Sequence, residues 1–205
     1  TEHCPVITQH YLSDGIEDIC NTAGQPVAQT EVSIRSVDDH SAVAIGEVGE
    51  ICARGPCVML EYNDNPKATS ETVDADGWLH TGDLGRMDAR GYVSVTGRVK
   101  EMIIRGGENH FPAEIENCLL EHPDVAEVAV VGLPDPKWGE LIGAFIRSRK
   151  PLAKAELHAH CRANMSPQKT PNVWVQVDEF PLTGSGKIQK FILRDRFAAG
   201  DFHEL

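Results

Sequence analysis

The chain has 205 residues and carries 19 Lys and Arg against 31 Asp and Glu, a formal net charge of −12. With 41% hydrophobic and 24% charged residues it has a globular composition, long enough for one ordinary domain or two small ones. The acidity argues against nucleic-acid binding, no run approaches the ~20 apolar residues of a transmembrane segment, and the opening TEHCPVITQHYL has no secretory-signal pattern.

Cysteines stand at 4, 20, 52, 57, 118 and 161 without a CxxC pair, and the nine histidines show no zinc-site spacing. Scattered thiols of this kind point to a reducing, cytoplasmic setting. Residues 1–97 hold five Lys/Arg against sixteen Asp/Glu, whereas residues 98–205 hold fourteen against fifteen. That asymmetry predicts two units meeting near residue 98, the second with enough cations to meet phosphates. The abrupt start without Met reads as a fragment or a processed chain.

In chain order, EVSIRSV and EICARG alternate apolar and polar residues as half-buried strands do. A short helix is predicted from Pro66, and residues 88–96 read as a turn entering a strand. After Gly97 the pattern changes. VKEMII (99–104) is strand-like and is followed by Gly106 and Gly107. Pro112 suits a helix start, Glu114 and Glu116 suit its positive end, and His122-Pro123 stops it. VAEVAVVG (125–132), LIGAFIRS (141–148) and NVWVQVDEF (172–180) read as strands, and residues 153–165 and 188–197 as helices. The expected class is α+β: a small β-rich, barrel-like subdomain followed by a compact α+β domain.

Three segments carry chemistry. PLTGSGK (181–187) is a glycine loop that exposes backbone N–H groups and ends in a cation for a phosphate. It is not a Walker loop, because Pro181 and Ile188 stand where that pattern needs Gly and Ser or Thr. A plain turn with a solvated Lys187 fits equally well. GWLHTGD (77–83) places Asp83 after a glycine, where a carboxylate accepts both hydroxyls of a ribose. The alternative is an Asx-type turn capping a strand. GRVKEMIIRGGEN (97–109) sits where composition changes and is a candidate hinge, or else an ordinary hairpin.

Together these segments resemble, in order and spacing, the motifs of the adenylate-forming superfamily of acyl-CoA synthetases, luciferases and peptide-synthetase adenylation domains. GEVGEICARGPCVMLEYNDNPKAT (46–69) and DGWLHTGDLG (76–85) are similar to that family's Thr-Gly-Asp region. GRVKEMIIRGGENHFPAEIE (97–116) resembles its hinge motif, and PLTGSGKIQK (181–190) its catalytic-lysine motif. Thr1-Glu2 is similar to the tail of its Tyr-Gly-x-Thr-Glu motif.

The resemblance implies a carboxylic acid, ATP, Mg²⁺ and CoA as substrates, with no tightly bound cofactor. It implies that Lys187 is catalytic in adenylation. Asp83, Arg98 and Thr1 would bind nucleotide, and Glu2 would hold Mg²⁺. Lys100 would be the hinge residue, where many relatives carry Asp. Gly107, Trp138 and Lys169 would meet CoA. It divides the chain into residues 1–97, the end of a larger domain; 98–100, the hinge; and 101–205, a mobile C-terminal domain. The phosphate loop and most of the acyl pocket of such enzymes lie upstream and are absent, so the chain is expected to be inactive alone. The leading expectation is an acid–thiol ligase acting on a fatty or aryl acid. Carrier-protein loading and a non-catalytic role for the same fold are the alternatives.

Overall fold

The alternating runs EVSIR and GEICAR are neighbouring strands in the computed structural model, which describes residues 1–205. The first of its two units, Thr1–Lys100, contains β1 (Thr8–Gln9), α1 (Ile16–Asn21), β2 (Gln25–Pro26), β3 (Glu31–Arg35), β4 (Gly49–Arg54), α2 (Pro66–Thr72), β5 (Leu79–Met87) and β6 (Val93–Arg98). β1 and β2 form a small ribbon, and β3-β4-β5-β6 an antiparallel sheet.

Ile34, Ile51 and Val93 bury one face of that sheet, with Val32, Val43 and Met87 against them. Strands β3 and β6 end the sheet, and β6 only exchanges backbone bonds with the Ala23-Gly24 segment at Val93. The barrel-like expectation is therefore corrected to an open sheet, since four strands are too few to close around a side-chain-filled interior. Helix α2 starts as its sequence dictates: Pro66 takes the first position and the Asn65 side chain accepts the Ala68 N–H at 3.1 Å.

The second unit, Glu101–Leu205, contains β7 (Ile103–Arg105), β8 (Glu108–His110), α3 (Pro112–Leu120), β9 (Val125–Asp135), β10 (Gly139–Ser148), α4 (Lys154–Asn164), β11 (Val173–Gln176) and α5 (Lys190–Ala198). Strand β10 is the axis. It pairs antiparallel with β9 along its length, and its other edge takes β11 in parallel and the end of β7. Both faces are covered, which is why VAEVAVV is almost continuously apolar. Val128 and Val130 join Ile142, Ala144 and Ile146 on the face packed by Ile115 and Leu119 of α3 and Leu157 of α4. Ala129, Val131 and Phe145 face the other way, toward Leu193 of α5 and the half-buried Phe197 and Phe202.

Two expected strands are shorter than read. Residues 99–101 form a 3-10 turn before β7, and β11 ends at Gln176. Just beyond it, the Val177 N–H still donates to the Ile146 carbonyl at 2.9 Å.

One core position is costly. His110 ends β8 opposite Ile103 and is only 3% exposed, and neither ring nitrogen has a hydrogen-bond partner. Burial holds its pKa below the ordinary value. Glu108 pulls it back up, while Arg105 and Lys169 push it down and Glu114 adds a weaker pull upward. The unfolded chain takes up this proton near pH ~6.5, and the folded unit resists it until lower pH. Stability is thus fully present above that pH and is lost as pH falls below it. His110→Leu should be more heat-stable than wild type, and the gap in melting temperature should widen between about pH 8 and pH 5. Parallel melting curves at every pH would count against this account.

Candidate functional site

Strand β5 is distorted where GWLHTGD predicts function. Glu50 faces Leu84 and Cys52 faces His80, so Ile51 alone spans Thr81, Gly82 and Asp83. The surplus residues form a bulge, and Gly82 takes it up with a left-handed φ of 73°. The expected tight turn at Gly82-Asp83 is thus an interruption inside a continuous strand.

Polar contacts fix the bulge. The Glu50 carboxylate accepts the Gly82 N–H at 2.9 Å and meets His80 Nδ1 at 2.7 Å. The Thr81 hydroxyl donates to the Ile51 carbonyl at 2.7 Å and accepts the Asp83 N–H at 3.1 Å. His80 Nε2 lies 3.5 Å from Asp74, and Trp78 is held between the guanidiniums of Arg35 and Arg54 at 4.3 and 4.5 Å. His40, Glu50 and His80 offer donor atoms within 4.8 Å of one another. Both Glu50 oxygens are already engaged by protein groups, so the cluster acts as a brace for the bulge.

The brace delivers Asp83 to the strand surface. It stands opposite Arg98 of β6, whose Nε is 2.8 Å from its carboxylate, and both side chains are partly exposed. A carboxylate with free lone pairs beside a guanidinium fits a vicinal diol near a phosphate. Elsewhere in this unit, the Thr1 side chain is fully exposed. Glu2 accepts the Tyr62 hydroxyl at 3.0 Å. Its own backbone N–H and then Tyr62 hold its carboxyl below the usual range. Lys100 is exposed in the 3-10 turn that ends the unit.

In the second unit, Lys187 sits at the end of a small hairpin. Leu182 bridges Ile188, Thr183 N–H donates to the Lys187 carbonyl at 2.8 Å, and the Lys187 N–H donates to the Thr183 hydroxyl at 3.0 Å. Gly186 turns the chain with a φ of 81°. The Lys187 side chain is exposed and its ammonium joins no ion pair. Three residues on, Lys190 is the opposite case: it pairs with Glu101 at 2.7 Å and Glu116 at 2.9 Å.

Gly106, Trp138, Arg105 and Lys169 form a separate group. The Gly106 N–H donates to the Trp138 carbonyl at 2.8 Å, and a Cβ on Gly106 would stand 3.0 Å from the indole. Arg105 and Lys137 lie over the ring of Trp138, which is 41% exposed. A Cβ on Gly107 would meet nothing within 4 Å, so its φ of 84° is what requires glycine there. Lys169 is bound to Glu114, and a phosphate would compete with that carboxylate.

Comparison with known proteins gives the family. Residues 1–63 match the AMP-binding enzyme family, and residues 114–187 match the AMP-binding enzyme C-terminal domain. The chain belongs to the AMP-binding enzyme family. A Bacillus subtilis (strain 168) protein, YngI, which carries an acyl-CoA synthetase name, is 43% identical over 96% of this chain and 36% of its own length. The human mitochondrial medium-chain acyl-CoA ligase ACSF2 is 42% identical over 96% of this chain and 32% of its own. The o-succinylbenzoate CoA synthetase of Bacillus subtilis, solved with its acyl-adenylate intermediate, superposes with a TM-score of 0.84 at 35% identity, over 96% of this chain and 39% of that one. The chain spans about a third of the length of the curated relatives it matches.

In this chain, sequence reasoning singled out Asp83 but missed Glu50 and His80, which brace the bulge before it. Alternation in GEICAR groups Glu50 with Cys52 and Arg54, opposite Ile51 and Ala53, so no signal in the sequence marked Glu50 as buried. Glu50 is 7% exposed. Glu50→Ala leaves His80 and the Gly82 N–H short of an acceptor and should destabilise the first unit by about 1–3 kcal/mol. Glu50→Gln, which keeps an acceptor, should lose less. Denaturant unfolding of the two variants checks the order, and equal losses would contradict the brace.

Proposed function

We propose that this chain is part of an ATP-dependent acyl-CoA ligase that activates a carboxylic acid as its acyl-adenylate and passes the acyl group to CoA. The observation that carries this reading is Lys187, an exposed ammonium free of any carboxylate at the end of a glycine hairpin in an acidic chain. Negative charge grows on the oxygens around phosphorus as acid and ATP combine, and a fixed, unpaired cation stabilises it.

In this reading Asp83 accepts the ribose hydroxyls, with Arg98 beside it, and Thr1 contacts phosphate. The ionised Glu2, partly shielded and with Tyr62 on one oxygen, fits the single carboxylate that a largely hydrated Mg²⁺ needs. Lys100 is the pivot between residues 1–97 and the mobile residues 101–205. Trp138 offers a face to the adenine of CoA, Gly107 borders the thiol's path, and Lys169 meets a CoA phosphate. The upstream part of the same enzyme would complete the phosphate and acyl sites. No helix of the chain is long and apolar enough to cross a membrane. Six free cysteines support a reducing, cytoplasmic compartment. Carrier-protein loading is the second reading, and GGENHFPAEIE, which resembles CoA ligases more than loading domains, favours free CoA over it. The intact Lys187 counts against a non-catalytic role.

The test uses the longer polypeptide that contains this chain, with ATP, Mg²⁺, CoA and a panel of fatty and aryl acids. Lys187→Ala should lower acid-dependent ATP–pyrophosphate exchange by on the order of 10²–10³. Thioester formation from preformed adenylate should survive. Residues 1–205 alone should release no pyrophosphate with any acid. Exchange without thioester would move the acceptor to a carrier protein, and no exchange at all would sink the ligase reading.

A further inference from the structure

Lys190 begins α5, three residues beyond Lys187. Its ammonium lies 2.7 Å from Glu101 and 2.9 Å from Glu116. Glu116 is itself immobile: it projects from α3, and its Oε1 accepts the Val130 N–H of β9 at 2.7 Å. Behind Lys190, Leu193 is fully buried against β9 and β10. Ahead of it, Gln189 N–H closes the hairpin by donating to the Pro181 carbonyl at 2.8 Å. One ammonium thus joins the residue after Lys100, helix α3 and the base of the Lys187 hairpin. Burial alone would lower its pKa, but the charges and hydrogen bonds of Glu116 and Glu101 outweigh this and hold it above the ordinary lysine value.

We propose that Lys190 is a positioning residue for Lys187: by holding Glu101 and Glu116 it fixes the base of the hairpin and keeps both carboxylates from capturing the Lys187 ammonium. The inference rests on the adenylation role given to Lys187 above. Its logic is electrostatic. Two carboxylates with their cation removed seek another, and Lys100 beside Glu101 and Lys187 three residues before Lys190 are the cations nearest in sequence to this cluster. A Lys187 drawn into such a pair is neutralised and displaced from reacting oxygens. A misplacement of about 1 Å costs on the order of 10²-fold.

Three substitutions separate positioning from general support. Lys190→Met keeps the stem and removes the charge. Lys190→Arg restores a cation. Glu116→Gln keeps an acceptor for Val130 N–H and loses only the ion pair. In residues 1–205, hydrogen exchange of the Thr183, Gly186, Lys187 and Gln189 amides should quicken on the order of tenfold in Lys190→Met, while β9–β10 amides stay protected. In the longer polypeptide, Lys190→Met should lower kcat of ATP–pyrophosphate exchange on the order of 10- to 100-fold. The KM for ATP should stay within roughly twofold, as expected when an interaction specific to the transition state is lost. Lys190→Arg should recover most of the rate, and Glu116→Gln should show a smaller loss of the same kind. If Lys190→Met keeps wild-type hairpin protection, or keeps wild-type exchange while Lys187→Ala abolishes it, the positioning role is wrong. If Lys187→Ala leaves exchange intact, the reading of Lys187 fails, and the amide data still decide whether Lys190 clamps the hairpin. If Lys190→Met does not fold, Glu116→Gln carries both measurements.

Discussion

An acidic protein that is to meet a polyphosphate must keep its own carboxylates occupied. With 31 acidic residues against 19 cations, most lysines and arginines here have a carboxylate partner by default. The carboxylates nearest the candidate functional residues are taken by other donors: Glu50 by His80 and a backbone N–H, Glu116 by Lys190 and a backbone N–H, Glu114 by Lys169. Of these pairs only Lys169–Glu114 is exposed enough to add little stability, whereas Glu50 and Glu116 are largely buried. Lys187 joins no ion pair, whereas Lys190 three residues on joins two.

The same economy explains how the two units use their sheets. In the second unit β10 is covered on both faces, so the helices on either side are fixed to a stiff layer and their loops inherit its geometry. The Lys187 hairpin and the Gly106–Trp138 group both hang from that layer without belonging to it. In the first unit the sheet is open, and rigidity at Asp83 comes from polar contacts around one bulge. A packed core cannot tolerate a solvent-facing Asp, whereas a bulge can present one with its backbone fully satisfied.

These differences mark what was legible in the sequence. Strands β3, β4, β9 and β10 and helices α2 to α5 followed from period, proline and capping residues, because packing agreed with local preference there. The bulge at residues 81–83 was read as a turn, since Gly-Asp signals a reversal and nothing local reveals that Ile51 faces three residues. Helix α1 was missed because its six residues bury none of their side chains and so leave no apolar stripe to read. Asp83 and Lys187 stood out by motif. Glu50, Lys190 and Glu116 did not, since a brace is defined by partners 30 to 89 residues away.

The two adjacent glycines show why position and chemistry must be argued separately. The resemblance placed Gly107 alone beside the path of CoA. In the structure Gly106 also takes a left-handed φ of 62°, and a Cβ there would in addition press on the Trp138 indole at 3.0 Å. Gly107 is required by its left-handed backbone, with open space around it. Replacing the first would displace the indole, and replacing the second would strain the strand turn. A Cβ at Gly107 would meet only open space, whereas the partly exposed Trp138 ring already carries Arg105 and Lys137 over it.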